Sequence, residues 1–110
     1  MTEVIELTTK AQFDEAVAAG RVVIDFARRH GCVPCQRLEP HYKAAANAPV
    51  LEDITFYKVM LDEVEPELLN YAMDVLGVRG TPTVIEFRNG ERYADIAGRT
   101  APVLVKELSE

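Results

Sequence analysis

Arg21-Val22-Val23-Ile24-Asp25-Phe26-Ala27-Arg28-Arg29-His30-Gly31-Cys32-Val33-Pro34-Cys35 is the stretch on which the reading of this chain turns. Its first half, Arg21 to Ala27, has strand length and no alternation, so it reads as a strand buried on both faces. Its second half ends in Cys32-Val33-Pro34-Cys35, which holds both cysteines of the chain. These open a helix-like segment running from about Pro34 to Asn47. Two thiols three residues apart at a helix start can close a small disulfide ring without unfolding the backbone. The first thiol points into the positive end of the helix dipole, where free amide groups stabilise a thiolate. The spacing describes a redox site.

Working outward, Val4-Ile5-Glu6-Leu7 reads as a short first strand. Thr9 with Gln12 three residues on is a capping box, and Phe13, Ala16, Val17 and Gly20 share the face of the helix that follows. Beyond the cysteines, Leu38, Tyr42 and Ala45 mark the inner face of the second helix, which Pro40 should kink. Ile54 to Leu61 is a buried-strand run interrupted by Lys58. Leu68, Leu69, Ala72, Met73 and Leu76 make a third helix, closed by Gly77. Thr83 to Phe87 and Glu91 to Ile96 flank Arg88-Asn89-Gly90, a hairpin signal. Pro102 to Leu108 is a last helix with Thr100 as its cap. The order β-α-β-α-β-α-β-β-α predicts an α/β fold: a central mixed sheet of about five strands with helices on both faces. Strands joined through helices should be parallel and the closing hairpin antiparallel.

The 110 residues leave room for one domain, residues 1–110, with 48% hydrophobic and 27% charged residues. No apolar run approaches the ~20 residues that span a bilayer, so no membrane is expected. Met1 to Glu6 shows no basic segment followed by a long apolar one, which makes a cytoplasmic location the expectation. In a reducing cytosol a lone Cys-x-x-Cys is catalytic or metal-binding more often than structural. The formal charge of −6 argues against nucleic-acid binding. Residues 28–37 nevertheless hold Arg28, Arg29 and Arg37 and no acid. Those cations flank the cysteines and favour thiolate over thiol, unless they merely solvate a loop and a helix face.

In this order and on these elements the motifs resemble the thioredoxin family across nearly the whole chain. The residues that carry the resemblance are Val22 to Phe26, Cys32-Val33-Pro34-Cys35, Pro40, Lys58 before Asp62, Val78-Arg79-Gly80-Thr81-Pro82-Thr83, Phe87-Arg88-Asn89-Gly90 and Gly98. The resemblance implies that Cys32 is the nucleophile and Cys35 the resolving thiol. It also implies that Pro82 follows a cis peptide bond beside the pair, and that Asp25 lies beneath Cys35 with Lys58 nearby. Gly31, Val33, Pro34, Gly80, Thr81, Ala97 and Gly98 would form the substrate-binding surface. A cis bond at Pro82 would expose the Thr81 backbone for pairing with an extended substrate segment, and Gly98 would leave that groove open. The chain departs from the family pattern at Gly31, where an aromatic residue is usual, and in its Val-Pro dipeptide. Ala27 to Gly31 is one residue longer than usual, and the segment from Asp62 to Pro82 is longer too.

The chemistry follows from the residue types. Asp25 is an acid inside an apolar strand, where burial raises its pKa and suits it to accept a proton from Cys35; the alternative is a solvated Asp at the strand's end. Lys58 either pairs with it or snorkels. His30 either idles on the surface or becomes cationic near neutral pH beside Cys32. The acids Asp62, Glu63, Glu65, Glu67 and Asp74 read as a solvated helix face. The expectation is a monomeric thiol–disulfide oxidoreductase that reduces protein disulfides, with no bound cofactor beyond the Cys32–Cys35 pair. A thioredoxin reductase fed by NADPH would recycle it, as the resemblance implies. Its potential should lie nearer −270 mV than −120 mV, both approximate values. A disulfide oxidase or isomerase is the first alternative. A thioredoxin-fold binding module, or a metal carrier using the cysteines with His30 or His41, is the second.

Overall fold

β2 (Arg21–Ala27) is the middle strand of five, and every residue in it after Arg21 is buried. The computed structural model describes residues 3–110. Before β2 come β1 (Ile5–Leu7) and α1 (Lys10–Val17). After it come α2 (Val33–Ala46), a 3₁₀ turn (Pro49–Leu51), β3 (Thr55–Met60) and α3 (Pro66–Asn70), which one π-helical turn (Tyr71–Val75) extends. The hairpin of β4 (Thr83–Arg88) and β5 (Glu91–Ile96) and then α4 (Ala101–Ser109) complete the chain. The sheet order is β1-β3-β2-β4-β5.

Alternation along β2 sorts the core into two layers. Val22, Ile24 and Phe26 join the α1 and α3 side with Phe13, Ala16, Leu68 and Ala72. Val23 faces the α2 and α4 side with Leu38, Tyr42, Leu104 and Leu108. Asp25 and Ala27 follow the parity of Val23, which puts both beneath α2. Period two thus places an acid under the helix that begins at the cysteines.

Local signals in the sequence are realised at several points. Thr9 and Gln12 form a reciprocal capping box. Asn89 and Gly90 both take positive φ, 52° and 86°, the backbone a two-residue hairpin turn needs. Their amides donate to the carbonyls of Gly20 and Val17 and so fasten the turn to the end of α1. Helix α2 runs through Pro40, which sits on its exposed side.

Three expectations are corrected. β4 follows a helix yet pairs antiparallel with β2, Thr83 opposite Phe26. The chain descends through α3 and climbs back through the segment from Gly77 to Pro82, so β4 starts at the edge where β2 ends. The third helix is part α and part π: the amide of Leu76 bonds the carbonyl of Tyr71, five residues back. That wider turn keeps Ala72 and Leu76 inside and swings Met73 out to 40% exposure. Thr100 has the backbone conformation of a cap, but its side chain makes no cap bond. His41 of α2 supplies the acceptor instead, its Nδ1 3.0 Å from the amide of Ala101.

Candidate active site

Cys32 is the N-cap of α2, and its sulfur accepts from the amide of Cys35 at 3.3 Å. A cap acceptor here is usually an oxygen; sulfur in that place meets the same partial positive charge. The two cysteines are joined as a disulfide, 2.05 Å between sulfurs and 5.3 Å between Cα atoms. Thr81 brings its hydroxyl to 3.3 Å and its carbonyl to 3.7 Å from the Cys32 sulfur. A disulfide sulfur has no proton, so in this state the hydroxyl is the donor and the carbonyl is a contact. The Thr81–Pro82 bond is cis, as the resemblance implies. Exposure does not distinguish the two cysteines, which are 5% and 6% exposed. What separates them is their partners: Cys32 has two donors on its sulfur and lies against Thr81, while Cys35 lines the cleft above Asp25.

Asp25 is 5% exposed, and its Oδ1 is buried without a hydrogen-bond partner. Burial pushes its pKa from the ordinary 3.8 up to about 7, against the pull of the cations Arg99 and Lys58 and with a small push from Glu39. The solvated alternative for Asp25 is thereby set aside. A cleft of about 60 Å³ reaches it, lined by Cys35, Gln36, Glu39, Lys43, Lys58 and Met60 among others. Lys58 stands directly across from Asp25 in the β2–β3 register. Its ammonium snorkels to Glu6, 4.0 Å away, and acts on Asp25 through space.

The loop before Cys32 is held by acids that the sequence suggested were a solvated face. The Asp62 carboxylate accepts from the amides of Arg29 and His30 at 2.9 and 3.0 Å, and those bonds hold its pKa below the ordinary range. Arg29 bridges Glu6 and Glu63, both at 2.7 Å. His30 Nε2 lies 3.5 Å from the Glu63 carboxylate. Glu65 accepts from the amide of Lys10. Of the three arginines expected to bias the thiols, Arg29 is therefore committed to ion pairs at the surface. Gly31 has φ +72°, which an L residue adopts only at a cost. The turn itself therefore favours a glycine there.

Val33, Pro34 and Gly80 are exposed beside the cysteines, and Thr81 and Pro82 are half-buried. Ala97 and Gly98 are also fixed by contacts within the fold. A Cβ on Gly98 would lie 2.9 Å from the Val103 side chain and 3.1 Å from the Leu104 amide. The missing side chain therefore makes room for α4, not for an open groove. The amides of Ala97 and Gly98 donate to the Glu107 carboxylate at 3.0 and 2.8 Å. Arg99 went unnoticed in the sequence because a loop arginine carries no local signal. It donates to the carbonyls of Ile96, Gly98 and Pro82. The histidines considered for a metal are used otherwise, His41 by Ala101 and His30 by Glu63.

With the geometry in view, the comparisons agree with it. The family profile described as Thioredoxin matches residues 4–110. A thioredoxin of Aspergillus fumigatus is 28% identical over 107 residues, covering 94% of this chain and 92% of its own. The protein disulfide-isomerase of Gallus gallus is 33% identical over 103 residues, 91% of this chain but 19% of that protein. The crystal structure of Malassezia sympodialis thioredoxin superposes with a TM-score of 0.81 at 25% identity, covering all of this chain and 94% of that one. A dithiol pair at a helix start beside a cis-proline, on this sheet order and with these relatives, places the chain in the thioredoxin family of thiol–disulfide oxidoreductases.

Proposed function

We propose that the chain works as a protein-disulfide reductase, with Cys32 as nucleophile and Cys35 as resolving thiol. The observation that carries this reading is the inequality of the two sulfurs: Cys32 sits in the helix cap under the Thr81 hydroxyl, and Cys35 sits over a partnerless carboxyl. In the dithiol state the amide of Cys35 and the Thr81 hydroxyl are donors for a Cys32 thiolate, which is thereby favoured. That thiolate attacks one sulfur of a substrate disulfide. A mixed disulfide forms, and the other substrate sulfur leaves as a thiolate that takes a proton from solvent.

Cys35 then gives its proton to the Asp25 carboxylate. A pKa of about 7 makes that acid half-ionised at neutral pH, which suits reversible proton transfer. The cleft that both residues line is large enough for water, which would supply a route for the proton. The Cys35 thiolate attacks Cys32, the mixed disulfide breaks, and the second substrate sulfur leaves as a thiolate that takes up the proton held by Asp25. Two electrons have passed to the substrate, and the Cys32–Cys35 disulfide is the oxidised product. No cofactor is needed within the chain. A thioredoxin reductase drawing on NADPH would return the dithiol, and the reaction belongs in a reducing compartment such as the cytoplasm. One copy of the chain holds every residue this cycle uses, so a monomer suffices. Among the described residues no helix is long and apolar enough to cross a membrane.

The test is trapping. Cys35→Ser should hold a covalent mixed disulfide with a protein substrate, and Cys32→Ser should hold none. Trapping by Cys32→Ser alone would reverse the roles. The likeness to the Gallus gallus protein disulfide-isomerase keeps an oxidase or isomerase as the second reading. Equilibration of the pair with glutathione separates them, since a reductant sits near −270 mV and an isomerase near −180 mV, both approximate.

A further inference from the structure

The loop between β5 and α4 is clamped from both sides of its backbone. Glu107, one side chain of α4, takes the two amides of Ala97 and Gly98. Arg99 takes the carbonyls: Nη1 lies 2.8 Å from Ile96 O and 2.9 Å from Gly98 O, and Nη2 lies 3.3 Å from Pro82 O. The last of these bonds leaves the loop. It ties the loop to the cis-proline turn, one residue from Thr81, whose hydroxyl rests 3.3 Å from the Cys32 sulfur. A guanidinium can do this because its planar fork offers donors in fixed directions from separate nitrogens; an ammonium carries its three donors on one atom and cannot divide the acceptors between two nitrogens as Nη1 and Nη2 do.

We propose that Arg99 is a positioning residue for disulfide exchange, fixing the Ala97–Gly98 loop against the cis-Pro82 turn and so setting the walls between which an extended disulfide segment lies. This rests on the reductase reading for its substrate and deepens it at the same site. With the loop amides committed to Glu107 and two loop carbonyls to Arg99, the loop offers substrate a fixed shape more than free hydrogen bonds. Recognition by backbone pairing then falls to the Thr81 side. A loosened loop would have to be ordered by each substrate as it binds, which weakens binding without altering the bond-making atoms.

The same guanidinium has a second consequence. The groups acting on Asp25 are Lys58 from β3, Glu39 and the Tyr42 hydroxyl from α2, and Arg99 from this loop, where Arg99 is the leading cation. The cysteines add their own charge when reduced. Loss of Arg99 therefore shifts the Asp25 titration upward, and a lysine there keeps most of the charge while losing the fork. The two effects of one side chain can be separated by one conservative substitution.

The experiment compares full-length Arg99→Gln and Arg99→Lys with the natural chain. For a protein disulfide, both variants should raise KM about fivefold while kcat changes by less than about twofold, since each loses charge-assisted bonds of the fork. In the oxidised protein, followed by NMR, the Asp25 midpoint should rise by about half a pH unit in Arg99→Gln and return in Arg99→Lys. The amides of Ala97 and Gly98 should exchange with solvent about tenfold faster in both variants. A KM within twofold of natural in Arg99→Gln, or a KM that Arg99→Lys restores, overturns the fork as the positioning device. So does a lowered melting temperature with unchanged amide exchange and an unchanged Asp25 midpoint. Exchange and titration need no substrate. A natural chain that reduces no protein disulfide would therefore sink the functional reading while Arg99 is still decided by those two measurements.

Discussion

Asp25 on β2 and Glu86 on β4 are, among the described residues, the acids buried in this protein, at 5% and 2% exposure. Both lie on the central part of the sheet, two strand positions from one another across the β2–β4 register, in which Asp25 faces Val84 and Val23 faces Glu86. Their surroundings are opposite. Oε2 of Glu86 takes Arg21 Nε at 2.5 Å and Arg88 Nε at 2.7 Å, and Arg21 reaches on to the Leu108 carbonyl at the end of α4. Asp25 has a buried oxygen with no partner at all, and its cations act only from a distance. Burying a charge is costly unless it is paired. Glu86 is paired within the fold, whereas Asp25 stays unpaired in the cleft that Cys35 also lines, where the proposed cycle uses it as a proton acceptor. The sequence shows an acid in an apolar strand at both places, and only the partners distinguish structure from chemistry.

The largest effect should come from removing the nucleophile that opens the cycle in which Asp25 is proposed to act. Cys32→Ser should reduce turnover of protein disulfides by at least about 10³-fold, because no other nucleophile stands in the cap. If Asp25 acts through Cys35, Asp25→Asn should leave the first attack nearly intact and slow release of reduced product about 10- to 100-fold at pH 8, a typical loss for a general base. Glu86→Gln should alter neither step by more than about twofold per folded molecule. Stopped-flow traces in which Asp25→Asn impairs only the attack would remove Asp25 from the resolving step.

Stability should separate the two acids in sign. Asp25 holds its proton up to about pH 7 in the folded state, but releases it near its ordinary 3.8 when unfolded. Between those values the folded state binds more protons, so stability falls as pH rises from about 4 to about 7 and stays low above that. The span corresponds to about 4 kcal/mol at most, and the open cleft reduces it to about 2–4 kcal/mol. Asp25→Asn should recover that amount at pH 8 and nothing at pH 4. Glu86→Gln should instead cost about 3 kcal/mol, since it strands Arg21 in a half-buried site. Urea melts at both pH values check this; equal effects of Asp25→Asn at pH 4 and pH 8 would refute the raised pKa.

The contrast also explains what was legible in the sequence. Readable features are short in range: the unbroken apolar run of β2, the Thr9–Gln12 box, the Asn89-Gly90 turn and the cysteine pair at a helix start. The cis bond at Pro82 came through family likeness and not through residue chemistry. The missed features join distant positions. Asp62 holds amides 32 and 33 residues before it, and His41 caps a helix 60 residues after it. Arg99 reaches the carbonyl of Pro82 across 17 residues. β4 was misdirected because its orientation depends on how the chain returns from α3, which periodicity does not encode. An unpaired-looking charge in a sequence carries no record of its partner.

The smallest expected effect applies the same test to the arginines around the active site. Arg29 resembles Glu86: Glu6 and Glu63 hold its guanidinium and keep it firmly charged. Arg28 and Arg37 make no ion pair among the described residues and are exposed. Only charges of the second kind are available to attract an acidic substrate. Arg28→Gln or Arg37→Gln should slow reduction of an acidic disulfide peptide about two- to threefold at 10 mM salt, and by nothing measurable at 1 M, where the screening length is about 3 Å. Arg29→Gln should behave otherwise. It releases the loop ahead of Cys32, so its deficit should be of similar size for acidic and basic peptides and should persist at high salt. A salt-dependent, acid-selective loss in Arg29→Gln would mean that its two carboxylates do not neutralise it, and the division between committed and free charge would fail at this site. His30→Trp is the matching probe of the missing aromatic surface, because Gly31→Trp would place a tryptophan at φ +72° and confound contact with strain.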